Sequence, residues 1–377
     1  MSKVKIETLT PVHIGSGEFL RHNSDFVKYN YKSDLYLCVL NPRKILDLIG
    51  VERLSGWVSL IENGGDIKEY VSRVAGNVSP LEYSLRYFRS LTSVINLNDT
   101  LKESMHDGVG VPYIPGSSIK GAIRSAVVAT LSENRDNLEN LIIDKNVFSN
   151  KEKVNATKVE SKLLGADPNS DVFRFIRVGD AYFDKGSEIA IRLINLNIRE
   201  RESLIDSGKQ QLVEAINKGV ESVIQLKVDK EYYHWTQKNW NGKNLLGLLS
   251  DRMCDESLLF DLINKHTKKL LEEELDYWQN VADADYIGAE PYIDNIKSML
   301  NIVHSCKRGS ECVLRIGHAS GWRFITGAWT EDYDIFEDKI VPSARPGNHK
   351  YEGYDFPKSR RMGEKSEMLG FVKLTLI

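Results

Sequence analysis

Between Tyr113 and Leu131 the chain passes through a proline–glycine turn into an unbroken helical repeat, and this segment constrains the fold more than any other. Pro115-Gly116 makes the turn. Ser117 and Ser118 follow where a helix start calls for side-chain acceptors for its free N–H groups. Ile119, Ala122, Ile123, Ala126, Val127 and Leu131 then recur at helical spacing on one face. An apolar face of that length must be covered, and the rest of the chain offers sheets to cover it.

Val4, Ile6 and Thr8 alternate with Lys3, Lys5 and Glu7 ahead of Pro11, the period of a half-buried strand. Asp34 to Leu40 reads as a second strand, stopped by Asn41-Pro42. Val172 to Val178 and Glu188 to Leu196 read as strands paired across Lys185-Gly186. Val220 to Val228, Cys312 to Ile316 and Gly370 to Leu376 add three more. Lys44 to Leu97 reads as irregular helix, Leu258 to Leu271 as a long helix carrying His266 on its apolar face, and the polar stretch Ser132 to Asp171 as an insertion. Glu272-Glu273-Glu274 reads as a solvated helix face. This order predicts an α+β fold: two ferredoxin-like units, residues 1–170 and 171–377, each an antiparallel sheet with helices on one face.

With 377 residues and 41% hydrophobic content, the chain has enough material for a sizeable core, so global disorder is excluded. Cys38, Cys254, Cys306 and Cys312 show no C-x-x-C spacing, which argues against structural zinc and for a reducing compartment. The alternating N-terminus lacks the apolar core of a signal peptide, and no apolar run is long enough to span a membrane, so a cytoplasmic location is expected. Gly15-x-Gly17 lacks the third glycine and the helix of a dinucleotide site. In Gly116-Ser-Ser-Ile-Lys120-Gly121 the lysine precedes the glycine, which breaks the P-loop order. The net charge of −3 excludes a uniformly basic protein but not a local basic surface.

Three segments have the chemistry of such a surface. The N–H groups of Ser117 and Ser118, with Lys120 and Arg124 spaced i,i+4, make a candidate phosphate site; an ordinary helix start with solvated cations fits the residues equally well. His13 stands in the glycine turn His13-Ile-Gly15-Ser16-Gly17, where it is either a structural residue or the general acid/base of a ribonuclease. Lys358, Arg360 and Arg361 lie among Tyr351, Tyr354 and Phe356, and Gly317-x-x-x-Gly321-Trp322-Arg323 adds a second glycine turn. Cations among aromatics suit single-stranded RNA.

The motifs Thr10-Pro-Val-His13-Ile-Gly15-Ser-Gly17-Glu18 and Tyr113-Ile-Pro-Gly-Ser-Ser-Ile-Lys120-Gly-Ala-Ile-Arg124, with the Gly317 turn and the terminal Gly370-Phe-Val-Lys-Leu strand, resemble the RAMP superfamily of CRISPR RNA-binding proteins. Within it the chain is most similar to the family of fifth subunits of type III-A (Csm) effector complexes. The resemblance implies two RRM-like domains and a non-catalytic role with no cofactor or metal. It implies a subunit that caps the backbone filament at the guide RNA (crRNA) 3′ end and supports maturation of that end. Its partners would be the 3′ region of the guide, the other Csm subunits and host ribonucleases that trim the guide. His13, Gly15, Ser16, Gly17, Ser117, Lys120, Arg124, Gly317, Gly321, Trp322, Arg323, Lys358, Arg360 and Arg361 would be its RNA-binding set. The contrasting reading is a RAMP endoribonuclease that processes precursor guide RNA through His13.

Overall fold

The computed structural model describes residues 2–133, 138–145, 152–200, 203–239, 255–282, 288–325, 328–345 and 351–377. Its first nine strands are β1 (Ser2–Thr8), β2 (Gly15–Arg21), β3 (Phe26–Tyr31), β4 (Asp34–Leu40), β5 (Ser84–Ser90), β6 (Thr100–Ser104), β7 (Tyr113–Ile114), β8 (Ile143–Lys145) and β9 (Glu152–Val154). The remainder are β10 (Ile176–Val178), β11 (Ala181–Tyr182), β12 (Glu188–Asn197), β13 (Ile205–Ile216), β14 (Glu221–Val228), β15 (Glu311–Arg315), β16 (Ser359–Gly363) and β17 (Phe371–Leu376).

Two large sheets organise them. The first has the order β10-β14-β1-β17-β15 and is antiparallel throughout. Its centre is the pair of chain ends: Val4 faces Leu376 and Ile6 faces Leu374. The expected alternation holds in β1, where Val4, Ile6 and Thr8 are buried. The helix Gly116–Ser132 and the long helix Glu256–Ala282 cover this sheet, and Ile119, Ile123, Ala126 and Val127 join Val4, Ile6, Leu226 and Leu374 in one core. The second sheet runs β2-β6-β13-β12-β5-β4-β3, with β16 pairing β12 in addition. On one of its faces the helices Pro42–Ile49, Leu54–Glu62 and Ile67–Ala75 bury Ile45, Ile49, Trp57, Ile67 and Val71 against Val27, Cys38 and Leu40. The first of these helices starts at Asn41, whose side chain accepts from the N–H groups of Arg43 and Lys44.

The α+β class and the helix from Gly116 agree with expectation, and several local readings are corrected. Strand β5 interrupts the stretch read as helix to Leu97. Ser359–Gly363, to which no element had been assigned, form a strand, and so does the stretch of β13, the longest strand among the described residues. Glu188–Asn197 does not pair with 172–178: it pairs with β13, β5 and β16, while β10 pairs with β14. Strands from either side of residue 170 share each large sheet: β1 lies between β14 and β17, and β5 pairs with β12. Glu274, expected in solvent, is fully buried. No helix of the described residues is long and apolar enough to cross a membrane. Cys38, Cys306 and Cys312 are unbridged thiols, and Cys254 lies outside the described residues.

Candidate nucleic-acid interface

The two glycine turns, far apart in sequence, meet in space. The His13 segment is clamped on one side, where Val12 and Ile216 exchange backbone hydrogen bonds, and on the other, where the Met105 N–H donates to the Ile14 carbonyl. The carbonyl of His13 accepts from the N–H of His318, at 2.9 Å. Gly317 is what permits this approach. Its φ is +78°, and a Cβ there would stand 2.6 Å from the His13 carbonyl oxygen. Gly317→Ala therefore meets both left-handed strain and a backbone clash, costing about 1–3 kcal/mol. A lowered melting temperature together with weakened RNA retention is the expected result. An unchanged melting curve would show that the two turns are not held together here.

Where they meet, a cleft of about 410 Å³ opens, walled by Ile14 and Gly15 from the first turn, Ser118, Gly121 and Ser125 from the helix, and Gly317, His318 and Ser320 from the second turn. It thus joins the two glycine turns to the helix that begins at Gly116, and no carboxylate lines it among the described residues. A second cleft of about 430 Å³ shares His318 and Ile325 with it, so the two form one groove. The second cleft carries Arg199, Lys209, Lys358 and Arg361, with Tyr351 beneath the Lys358 ammonium at 4.4 Å and Asp206 as its one acidic wall residue among those described.

Part of the groove's positive charge is balanced, Arg199 by Glu200 at 2.8 Å and Asp206 at 3.9 Å, whereas Lys358 and Arg361 have no carboxylate bound to them among the described residues. Burial first, then Lys102, His13 and Arg361, push the His318 pKa down to about 4, so its ring is neutral at physiological pH. Its Nε2 stands 3.1 Å from the Gln211 amide oxygen. Lys102 is depressed by burial and by Arg361, and Lys358 by burial and by Arg199 and Lys209, despite the opposing pull of Tyr351 and Asp206. Cations that weaken one another in this way are relieved by an anion, and a polynucleotide backbone supplies anions at regular spacing.

The proposed site residues divide into two groups. Gly15, Ser16, Gly17 and Ser117 are exposed, and Gly317, Gly321, Lys358 and Arg361 are partly so, at the groove or on its margin. Lys120 is half-buried near Asp171, which favours its charge while burial opposes it. The others are committed to the protein itself. Arg124 pairs with Asp171 at 2.7 Å and Glu160 at 3.3 Å. Arg323 is buried with Glu331 and Glu274, and Arg360 binds Glu274 at 2.6 and 2.7 Å. Trp322 packs edge-on against Phe356 at 4.9 Å. The serines do not cap their helix. Pro115 is the capping residue, the Ser118 N–H bonds the Pro115 carbonyl, and Asp180 accepts from the Gly116 N–H at 2.7 Å, so two of the first N–H groups of the helix have partners within the chain. Lys102, Arg199, Lys209 and Gln211 were not identified from the sequence; three of the four sit on β6 and β13, where the polar run gave no strand signal.

His13 is 2% exposed, with Nδ1–H donating to the Glu214 carbonyl at 2.5 Å and Nε2 turned toward Gly15. Burial lowers its pKa below the ordinary value. Below it, Arg86 binds Glu214 at 2.7 and 2.9 Å and Glu103 at 2.8 Å. Glu103, His106 and Glu214 come within 4.8 Å of one another, the spacing of a cation site, but the guanidinium of Arg86 already answers the two carboxylates. This buried network fixes the floor of the first turn.

A family model described as the RAMP superfamily matches residues 5–290. The chain is 26% identical over 289 residues to the "CRISPR system Cms protein Csm5" of Methanocaldococcus jannaschii, covering 72% of this chain and 63% of that protein. It is 30% identical over 191 residues to the protein of the same name from Streptococcus thermophilus, covering 48% and 51%. The matches thus span between half and two thirds of the length of these curated relatives. Among solved structures, a chain of a Csm–crRNA–target RNA ternary complex of a type III-A CRISPR-Cas system superposes with TM-score 0.72 at 20% identity over the full length of both chains. The crystal structure of T. onnurineus Csm5 gives 0.66 at 18% identity over 98% of this chain and 99% of that one. The fold and the family model agree across the greater part of the sequence, and the chain belongs to the RAMP superfamily.

Proposed function

We propose that the chain is a non-catalytic guide-RNA-binding subunit of a type III-A CRISPR (Csm) effector complex. It caps the backbone filament at the guide's 3′ end and supports maturation of that end in the cytoplasm. The observation that carries the reading is the continuous groove at the meeting point of the three motifs, basic on one side and free of carboxylates on the other. Relatives named Csm5, and a structural neighbour taken from a Csm–crRNA complex, support the same assignment. Its partners are then the guide RNA, the other Csm subunits and the host ribonucleases that trim the guide.

The burial of His13 supports a structural role over a catalytic one, because a general base must reach the 2′-hydroxyl it deprotonates. The test is incubation with labelled precursor guide RNA, in chelator and in magnesium, beside His13→Ala. Retention without cleavage in both proteins is the expected outcome. Discrete metal-independent products that disappear in His13→Ala would replace the scaffold with a processing ribonuclease.

A further inference from the structure

Four tyrosines form an aromatic surface on the second sheet, away from the groove. Tyr29 and Tyr31 are two apart on β3, so they project from one face; Tyr36 on β4 is the cross-strand partner of Tyr29, and Tyr87 follows on β5. Tyr29 and Tyr31 lie nearly parallel with centroids 6.4 Å apart, whereas the Tyr31–Tyr36 and Tyr36–Tyr87 pairs, each at 6.3 Å, meet edge to face at 73° and 66°, so successive rings offer faces in different directions. The opposite face of these strands, with Phe26, Leu37, Val39 and Phe88, is buried core. On the tyrosine face, the three helices cover Val27, Cys38 and Leu40 and leave Tyr31 43% and Tyr87 48% exposed. A core function does not account for aromatic rings this exposed.

Cations edge the patch. The Lys32 ammonium lies 5.4 Å from the Tyr31 ring centre, and Lys68 lies 5.8 Å from that of Tyr29. Arg89, the cross-strand neighbour of Tyr36, pairs with Asp34 at the sheet margin. The same sheet carries the groove: β5 is hydrogen-bonded to β12, which lines it through Asn195 and Asn197 and pairs with the strand bearing Arg361.

We propose that Tyr31, Tyr36 and Tyr87 are a base-stacking platform for single-stranded RNA that extends beyond the basic groove. Flat rings at an open sheet surface stack on bases without reading sequence, and Lys32 and Lys68 meet the phosphates between them. The inference rests on the RNA-binding reading of the groove and extends the path of the strand across the sheet.

The test compares Tyr31→Ala/Tyr87→Ala, Tyr31→Phe/Tyr87→Phe and Lys358→Ala/Arg361→Ala on short and long single strands over a range of salt. Photocrosslinking with 5-iodouridine-substituted RNA and peptide mapping follows. The alanine pair is expected to weaken long-strand binding about tenfold while leaving short-strand binding and its salt slope unchanged. The phenylalanine pair, which keeps the rings and controls for folding, is expected to retain wild-type affinity, with crosslinks at the tyrosines. Long-strand affinity unchanged in the tyrosine variants but reduced in the groove variant overturns the platform and leaves the groove standing. The reverse pattern supports the platform and overturns the groove. A phenylalanine pair as weak as the alanine pair overturns stacking as the mechanism. Loss of assembly with neighbouring Csm subunits at intact RNA affinity overturns the RNA platform in favour of a protein contact.

Discussion

Replacing Lys358 and Arg361 together with alanine is expected to weaken single-stranded RNA binding about tenfold near physiological salt and to flatten the log–log salt dependence by about 1.4. Each cation that meets a phosphate contributes about 0.7 to that slope for a single strand, so the flattening tells how many phosphates these two side chains neutralise. Both side chains line the groove, and both are partly desolvated without a carboxylate bound to them among the described residues. Arg360→Ala supplies the contrast. Successive residues of a strand face opposite ways, and in β16 Arg360 points into the core while Arg361 stays half-exposed. Its loss is expected to lower the melting temperature while leaving the salt slope near that of the wild type. Filter binding or fluorescence anisotropy at three or more salt concentrations separates the two. Equal slopes for the Lys358/Arg361 variant and the wild type would remove these residues from the RNA path.

That contrast also shows what the sequence could and could not convey. The run Lys358-Ser-Arg360-Arg361 reads as three equivalent cations because nothing local marks it as a strand; once β12 pairs with it, the period of two sends one guanidinium inward. Elements whose pattern is complete in themselves were legible: β1 and β17 by alternation, and the Gly116–Ser132 helix by its apolar face. Strands β5 and β13 were not, because each depends on a partner distant in sequence to show which of its residues are buried. The turn motifs were legible as glycine-rich, but only the fold shows that Gly317 is where His13 comes closest.

Net charge left the location of the basic surface open for a related reason. A cleft of about 1080 Å³ is lined by Glu273, Asp276, Glu331, Asp332, Glu337, Glu352 and Asp355, with Arg323 and Arg345. The groove beside β16 carries four cations and Asp206. A sum of −3 over the whole chain hides this segregation, and a polyanion responds to the local field rather than to the sum.

Glu274 is the residue on which the second large effect is expected, and it acts on stability. Its carboxylate is fully buried on the long helix. It accepts two hydrogen bonds from Arg360, at 2.6 and 2.7 Å, one from the Trp278 indole at 3.2 Å, one from the Tyr292 hydroxyl at 3.0 Å and one from Arg323 at 3.4 Å. Burial raises its pKa, but Arg360, Arg323 and Arg315 outweigh burial and hold it below the ordinary glutamate value of 4.5. Glu274→Gln keeps the volume and leaves the Arg360 guanidinium buried without a counter-charge. The expected cost is about 3–5 kcal/mol, a melting temperature lower by about 4–6 °C for a chain of this size. Because the folded pKa is depressed, the stabilisation is fully present above the unfolded value and is lost as pH falls below about 4.5 toward the folded value. The wild type is therefore expected to lose its advantage over Glu274→Gln on acidification, so the two melting curves converge. A Glu274→Leu/Arg360→Met pair should be destabilised less than Glu274→Gln alone, since it removes both charges together. Melting temperatures that stay parallel down to pH 3 would show that the carboxylate is not the charge holding β16 in place. If β16 is held this way, Arg361 reaches the groove because its neighbour is anchored beneath it.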